Sequence, residues 1–126
     1  MSRIIFNETG FGYIVINGIK YEHDVIVTSD GKINKRRKDI SKRYRNLYGH
    51  TPLSKEEVRL LLSYKPKVIV IATGQYGALP IMEDALELLR SSNIEVIIDK
   101  TPKLLDKLNE VFKRGKRVVA LIHVTC

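Results

Sequence analysis

Small, polar or reactive residues follow three predicted strands in the second half of the chain. The strands are Val68–Ala72, Glu95–Ile98 and Arg117–Val124, and the first has the apolar, mostly β-branched character typical of a strand buried on both faces of a parallel sheet. The residues at and after their ends are Thr73, Gly74, Gln75, Tyr76, Gly77, Asp99, Thr101, Thr125 and Cys126. Parallel strands end at one edge of a sheet, where open α/β sheets bind ligands and helix N-termini attract anions, so these residues predict a small-molecule or anion site. The alternative is that the glycines and threonines serve only as turns and helix caps.

Few residues at this predicted site could act as catalysts. Cys126 could supply a thiolate nucleophile, and His123 or Asp99 an acid–base group, in an enzyme acting on a small anionic substrate. Such an enzyme requires a deep cleft in which these side chains lie within hydrogen-bond reach of one another. His123 and Cys126 lie three residues apart on one predicted strand, so their side chains are expected on opposite faces, and no catalytic residue is assigned.

Sequence motifs for cofactors and metals are absent. There is no Gly-Lys-Ser/Thr phosphate loop, and Gly74-Gln75-Tyr76-Gly77 lacks the spacing of the dinucleotide fingerprint. His23, His50 and His123 are far apart in sequence, and a single cysteine cannot form a structural zinc site. The sequence therefore predicts neither a cofactor nor a metal ion.

Positive charge is concentrated in one segment. Residues 35–46 hold seven Lys or Arg residues and one Asp, so they account for six of the eight net positive charges. Tyr44 and Tyr48 lie within or just after this run, and cations interleaved with aromatic rings could grip phosphates and stack a base. The alternatives are a solvated loop or a patch for an acidic partner, since no recognised nucleic-acid module surrounds it. The basic residues are Lys35, Arg36, Arg37, Lys38, Lys42, Arg43 and Arg45.

The remaining pattern predicts an antiparallel β unit followed by alternating strands and helices. Asn17-Gly18 between two apolar runs is a strong hairpin signal, because both positions of a type I′ turn require positive φ. Strands are predicted at residues 3–6, 13–16, 19–21 and 24–28. A capping-box pattern at Ser54 and Glu57 starts one helix, a second spans about 80–90, and a third begins with Thr101 as N-cap before Pro102. The fold class is a three-layer α/β core with an attached N-terminal β unit, in a single domain of three parts: residues 1–34 (β unit), 35–53 (basic loop) and 54–126 (α/β core).

The apolar runs, the first residues and the cysteine content of the sequence indicate in which cellular compartment the protein is expected. No apolar run approaches the roughly 20 residues that span a bilayer, and the first residues lack a signal-peptide pattern. The single cysteine excludes an intramolecular disulfide framework and favours a reducing compartment. We therefore expect a cytoplasmic protein with no membrane partner.

Motifs spread along nearly the whole chain resemble one small protein family. They include the Asn17-Gly18 hairpin, His23-Asp24-Val25-Ile26, Gly49-His50, Thr73-Gly74 and the ending Leu121-Ile122-His123-Val124-Thr125-Cys126. The chain is similar in these residues to the α/β family that includes the mitochondrial complex I assembly factor three and the adipogenesis-associated domain protein.

The resemblance implies more about fold than about activity. It implies three layers around a central mixed, mostly parallel sheet, with helices on one side and helix plus β structure on the other. No reaction is established for the family, whose known members act as accessory or assembly factors. Its recurring positions correspond here to Gly74, Thr101, Asn109 and Cys126, which adds Asn109 to the predicted site.

The sequence is interpreted as a non-catalytic binding or accessory protein. It would engage an unknown protein partner or a small anion through the strand-end site or the basic loop. The alternatives are an enzyme acting on a small anionic substrate and a nucleic-acid binder that uses residues 35–45. A homodimer is compatible with the sequence if the last strand lies at an edge of the sheet, where a second copy could pair with it.

Overall fold

An antiparallel sheet of three strands forms the N-terminal part of the computed structural model, which describes residues 3–126. The hairpin between its second and third strands turns at Asn17 and Gly18, whose φ angles of 52° and 78° fit the predicted type I′ turn. The first strand begins at Phe6 and not at Arg3, because Phe6 is its first residue paired with the second strand, opposite Ile16. The strands are β1 (Phe6–Gly10), β2 (Tyr13–Ile16) and β3 (Ile19–Tyr21).

The central sheet has five strands. They are β4 (Val25–Thr28), β5 (Ile33–Lys35), β6 (Val68–Thr73), β7 (Glu95–Asp99) and β8 (Val118–His123). Their order across the sheet is β5-β4-β8-β6-β7. The pairs β6–β7 and β6–β8 are parallel, whereas β4 runs antiparallel to both β5 and β8, so the sheet is mixed as predicted. The expectation that the last strand forms an edge is wrong, because β8 lies between β4 and β6.

Helices and the small sheet cover the two faces of the central sheet and complete the three layers. The helices are α1 (Arg45–Tyr48), α2 (Lys55–Ser63), α3 (Glu83–Ser91) and α4 (Leu105–Lys113). Side chains alternate along β6, so that Ile69 and Ile71 pack against α2 and α3, while Val68 and Val70 pack against α4 and the N-terminal sheet. The α/β fold class is thus confirmed.

The second predicted helix, α3, begins three residues later than expected. The Leu53 N–H donates to the Pro80 carbonyl, and the Met82 N–H donates to the Leu53 carbonyl, at 2.8 and 3.0 Å. Ile81 forms a parallel bridge with Leu53. These bonds hold residues 80–82 extended, so the helix begins at Glu83.

The basic segment is a series of tight turns between β5 and α2. It consists of 3₁₀ turns at Lys38–Ile40 and Lys42–Tyr44, followed directly by α1, which ends at Gly49 in the left-handed region. This segment crosses the carboxyl end of β8 and forms one side of the site described next.

Candidate functional site

A cavity of about 470 Å³ lies between the basic segment and the carboxyl end of β8. Lys38, Lys42 and Arg45 line it from the basic segment, together with His50. The chain at and after the end of β8 lines it as well, and its contributions are His123, Thr125 and Cys126. The two features that the sequence predicted separately, a strand-end site and a cationic stretch, therefore meet in one cleft.

His123 and Cys126 line the same cavity, which corrects the expectation that they face opposite sides of a strand. The alternation of side chains holds only within a strand, and β8 ends at His123. Cys126 lies beyond it, in irregular chain bonded to the loop after β6.

Arg36 is buried and does not belong to the exposed basic surface. Its side chain donates to both Glu57 oxygens at 2.8 Å, to Asp24 Oδ2 at 3.1 Å and to the Pro52 carbonyl at 2.9 Å. Burial by itself would lower the pKa of Arg36, but the carboxylates of Glu57 and Asp24 outweigh it and raise that pKa above its ordinary value. The sequence predicted Arg36 to be part of the exposed basic patch, because a run of adjacent cations does not indicate which of them will pair with a buried carboxylate.

The predicted capping box at the start of α2 is half formed. Ser54 Oγ accepts from the Glu57 N–H at 3.2 Å, as a cap should. The Glu57 carboxylate does not return to the Ser54 N–H; it binds Arg36 and accepts from Ser41 Oγ at 2.6 Å. The Ser54 N–H donates to Ser41 Oγ instead, at 3.3 Å. The start of α2 is therefore bonded to the basic segment at two buried positions, Arg36 and Ser41.

Asp24 connects this buried cluster to the end of β8. Its Oδ1 accepts from the Val124 N–H at 2.9 Å, and its Oδ2 lies 2.8 Å from His123 Nδ1 and 3.8 Å from Lys38 Nζ. Burial would raise the pKa of Asp24, but the hydrogen bond and charge of His123, with the Val124 N–H and Lys38, lower it to about 2. Asp24 is therefore ionised at neutral pH.

The ionised carboxylate fixes the orientation of the His123 ring. Because Asp24 can only accept, we assign the proton between the two groups to His123 Nδ1. The other nitrogen, Nε2, lies 3.3 Å from Thr125 Oγ1. The result is a linear series of carboxylate, imidazole and hydroxyl that ends at the cavity.

The strand-end loop that the sequence singled out holds the last residues of the chain in place. The Gln75 N–H donates to the Thr125 carbonyl at 2.7 Å, and the Tyr76 and Ala78 N–H groups donate to the Cys126 carbonyl at 2.9 and 3.0 Å. Gly74 has a φ of 104°, and a Cβ there would lie 2.4 Å from the Cys126 carbonyl carbon, so this position requires glycine.

Several other predicted site residues make internal bonds at the same edge of the sheet. Thr101 is buried, and its Oγ1 accepts from the Gly74 N–H at 2.9 Å and donates to the His123 carbonyl at 2.7 Å. Its hydroxyl therefore joins three segments of the chain and does not act as the predicted N-cap. Thr73 Oγ1 donates to the Asp99 carbonyl at 3.0 Å. Asn109 bonds through its side-chain amide to both backbone groups of Phe6, at 2.8 and 2.9 Å.

The remaining predicted residues lie outside the cavity lining. Gln75 Nε2 donates to Thr9 Oγ1 at 3.1 Å, and Tyr76 is 70% exposed beside Phe11. Gly77 lies against Lys100, where a Cβ would be 3.0 Å from its Cγ. Of the ten residues that the sequence placed at the strand-end site, all in the described part of the chain, only Thr125 and Cys126 line the cavity.

Asp24, Glu57 and His50 are the residues of this site that sequence reasoning did not assign to it. Asp24 carried a usable signal, since a carboxylate directly before the apolar strand β4 is seldom buried without a partner. The sequence assigned Glu57 only to the capping box of α2, so its bond to Arg36 was not predicted.

A second cavity, of about 850 Å³, lies at the opposite end of β8. Arg3, Lys113, Lys116 and Arg117 contribute cations to it. Although this cavity is larger, it lies at the amino end of the parallel strands and contains no oriented histidine among residues 3–126. The smaller cavity is the better candidate, because ligands of open α/β sheets bind at the carboxyl ends of the strands.

Metal-ligand clusters and membrane-spanning helices are both missing from residues 3–126. Within that range no group of three or more His, Cys, Asp or Glu side chains is arranged to hold a metal ion. None of the helices there has the length and apolar character needed to cross a membrane.

Fold and cleft together define a three-layer α/β protein with a cationic cavity at the carboxyl end of its central strand. The chain belongs to the family described as protein of unknown function (DUF498/DUF598), whose model matches residues 6–123. This confirms the small α/β family of unknown activity that the sequence resembled. No curated protein matches the chain.

Solved structures with the same fold are similar over almost the full length. The structure of MT938 is 35% identical, with a TM-score of 0.79 over 98% of this chain and 99% of that one. The conserved hypothetical protein PH1505 from Pyrococcus horikoshii OT3 is 32% identical, with a TM-score of 0.82 over 99% of this chain and 100% of that one. A Bordetella pertussis protein described as a Mth938-like domain is 16% identical, with a TM-score of 0.61 over 96% of this chain and 85% of that one. At this low identity the similarity shows a shared fold alone.

Proposed function

We propose that the protein binds a small anion, of the phosphate or carboxylate class, in the cavity between the basic segment and the end of β8. The observation that carries the proposal is that Lys38, Lys42 and Arg45 line one cavity together with His123 and Thr125. Its volume of about 470 Å³ lies within the range of about 300–1,000 Å³ that is usual for small-ligand sites.

The charges at the cavity favour an anion over a neutral ligand. Within residues 3–126, neither Lys42 nor Arg45 forms an ion pair. Among the described residues that line the cavity, Asp39 supplies the one carboxylate side chain, and it is paired with Arg37 at 2.9 Å. An entering anion would therefore meet two cations that no protein carboxylate has neutralised.

The test is calorimetric titration with inorganic phosphate and with citrate. Replacing Lys42 and Arg45 together by Gln should weaken binding about tenfold, since two charge-assisted contacts at a partly open site contribute about 1.4 kcal/mol in total. The double replacement of Lys116 and Arg117 by Gln removes the same charge at the opposite end of β8 and should leave binding unchanged. Equal losses in both variants would show only a general charge effect and would refute the proposal.

A separate titration with duplex DNA at several salt concentrations distinguishes the nucleic-acid alternative. Binding of duplex DNA through residues 35–45 would fall by roughly 0.9 log units per log unit of salt for each phosphate contact. The burial of Arg36 removes one cation from that surface and makes this alternative weaker. An accessory role with a protein partner, a homodimer and a cytoplasmic location stay predictions from the sequence.

A further inference from the structure

The series Asp24–His123–Thr125 has the arrangement of an activated nucleophile. A nucleophilic side chain is activated when a base lies within hydrogen-bond reach and a third group orients that base. Here Thr125 Oγ1 lies 3.3 Å from His123 Nε2, and His123 Nδ1 lies 2.8 Å from Asp24 Oδ2. The hydroxyl contact is slightly long, as such contacts often are without substrate.

We propose that the protein cleaves small phosphate esters, with Thr125 as the nucleophile, His123 as its general base and Asp24 as the group that positions His123. This proposal rests on the proposed anion-binding function, because the cations of the same cavity would hold the phosphate.

The surroundings of His123 keep its ring in one orientation. Its side chain is 12% exposed, and its Cδ2 edge packs on Gly74, where an added Cβ would come within 2.7 Å. Two cations of the basic segment also contact the Asp24 carboxylate, Arg36 at 3.1 Å and Lys38 at 3.8 Å, and both lie on its Oδ2 rather than on His123 Nε2. A ring with one nitrogen fixed on a carboxylate and the other beside a hydroxyl is suited to transferring a proton.

The cavity favours phosphoryl transfer over acyl transfer. Acyl transfer usually relies on free backbone N–H groups that stabilise a single oxyanion. Two N–H groups of the cavity lining are not free for this role, since the Ala78 N–H donates to the Cys126 carbonyl and the Leu79 N–H donates to the Thr73 carbonyl, each at 3.0 Å. Lys and Arg side chains are the groups that stabilise the several oxygens of a transferring phosphoryl group, and the cavity lining supplies them.

The reaction then has two balanced steps. In the first, the Thr125 hydroxyl proton moves to His123 Nε2 as Oγ1 bonds to phosphorus, the bond from phosphorus to the leaving oxygen breaks, and that oxygen takes the proton from Nε2. In the second, His123 takes a proton from water, the hydroxide bonds to phosphorus, and the phosphorus–Oγ1 bond breaks as Thr125 regains the proton. The products are an alcohol and inorganic phosphate.

The direct test uses the wild-type protein and p-nitrophenyl phosphate. We expect release of p-nitrophenol and, after rapid quenching, a phosphothreonine at residue 125 located by tandem mass spectrometry. Thr125→Val removes the hydroxyl with little change in shape and should abolish the label, whereas Thr125→Ser should retain it. Thr9→Val removes a hydroxyl that lies outside the cavity, where it donates to the Tyr13 carbonyl at 2.8 Å, and should leave the label at residue 125.

The role of His123 is tested against a matched histidine. His23 also has its Nδ1 bonded to an acceptor, the Asp24 carbonyl at 3.0 Å, but it does not line the cavity. His123→Asn should slow the first step by about 10²-fold or more, the usual contribution of a general base, and His23→Asn should not. Asp24→Asn should lower the turnover number and shift its pH profile while the KM changes little, which a merely structural loss would not produce.

The outcomes separate this inference from the proposed function. Binding of inorganic phosphate without turnover or label would overturn the catalytic proposal and leave anion binding intact. Absence of both would overturn the two proposals together. Turnover of p-nitrophenyl acetate but not of the phosphate would overturn the assignment to phosphoryl transfer, and a label at any residue other than 125 would overturn the role of Thr125.

Discussion

Replacing Arg36 by Met tests whether the buried ion cluster stabilises the fold. The guanidinium is almost inaccessible and bonds to Glu57 and Asp24, whose side chains are 0% and 2% exposed. Methionine keeps much of the aliphatic stem but leaves both carboxylates buried without this partner. Removing one member of a buried ion pair destabilises a protein by about 3–5 kcal/mol.

The neighbouring residue provides a matched control. Arg37 pairs with Asp39, but the two side chains are 59% and 64% exposed. Solvent-exposed ion pairs contribute little because water screens them, so Arg37→Met should change stability far less than Arg36→Met. Both variants lose the same charge and differ by one position.

The assay is urea-induced unfolding at pH 7, followed by circular dichroism, together with thermal melting. At about 3–5 °C per kcal/mol for a chain of this length, Arg36→Met should lower the Tm by about 9–25 °C. The double variant Arg36→Met/Glu57→Leu should be less destabilised than the sum of its single variants, because it removes the unpaired charge along with its partner. A loss in Arg36→Met no greater than that in Arg37→Met would refute this account of the cluster.

Two further predictions concern Asp24 and Gly74. The pKa of Asp24 is lowered from its ordinary value of 3.8 to about 2. The ionised carboxylate therefore contributes about 2 kcal/mol to the stability of the fold above pH 4, and this contribution is lost as the pH falls toward 2. When the free energy of unfolding is measured against pH, the wild type should show this loss and Asp24→Asn should not. Gly74→Ala combines positive φ with a Cβ 2.4 Å from backbone, whereas Gly12→Ala has positive φ but nothing within 4 Å. In the same urea assay, we expect Gly12→Ala to destabilise the protein by about 1 kcal/mol and Gly74→Ala by at least twice as much. Equal losses in the two variants would contradict the close packing of Gly74 on Cys126.

Local patterns in the sequence were sufficient for much of the fold. The Asn17-Gly18 turn requires only two adjacent residues, and the buried strand β6 is visible from five consecutive apolar side chains. The order of strands was less accessible, because β4 pairs with β8 across about a hundred residues of sequence. Nothing local in either strand identifies the other as its partner.

The sequence indicated the region of the candidate site but not its chemistry. The strand-end rule pointed to the edge of the sheet at which the cavity lies, and the cationic segment was recognised separately. That Asp24 orients His123 could not be read from the sequence, since the two residues are 99 positions apart. Thr101 was misread for a related reason: a threonine before proline suits an N-cap, but the competing bonds to Gly74 and His123 arise only once three segments are brought together.

The anchoring of the basic segment bears on the entropy of ligand binding. Its 3₁₀ turns and the four-residue α1 are too short to be stable on their own, and their order depends on Arg36 and Ser41 held beneath them. Lys42 and Arg45 are thus presented on backbone that is already fixed before any anion arrives. A ligand would lose little affinity to ordering a loop, and hydrogen exchange of the bonded amides of Ile40, Ser41 and Tyr44 should change little when phosphate is added.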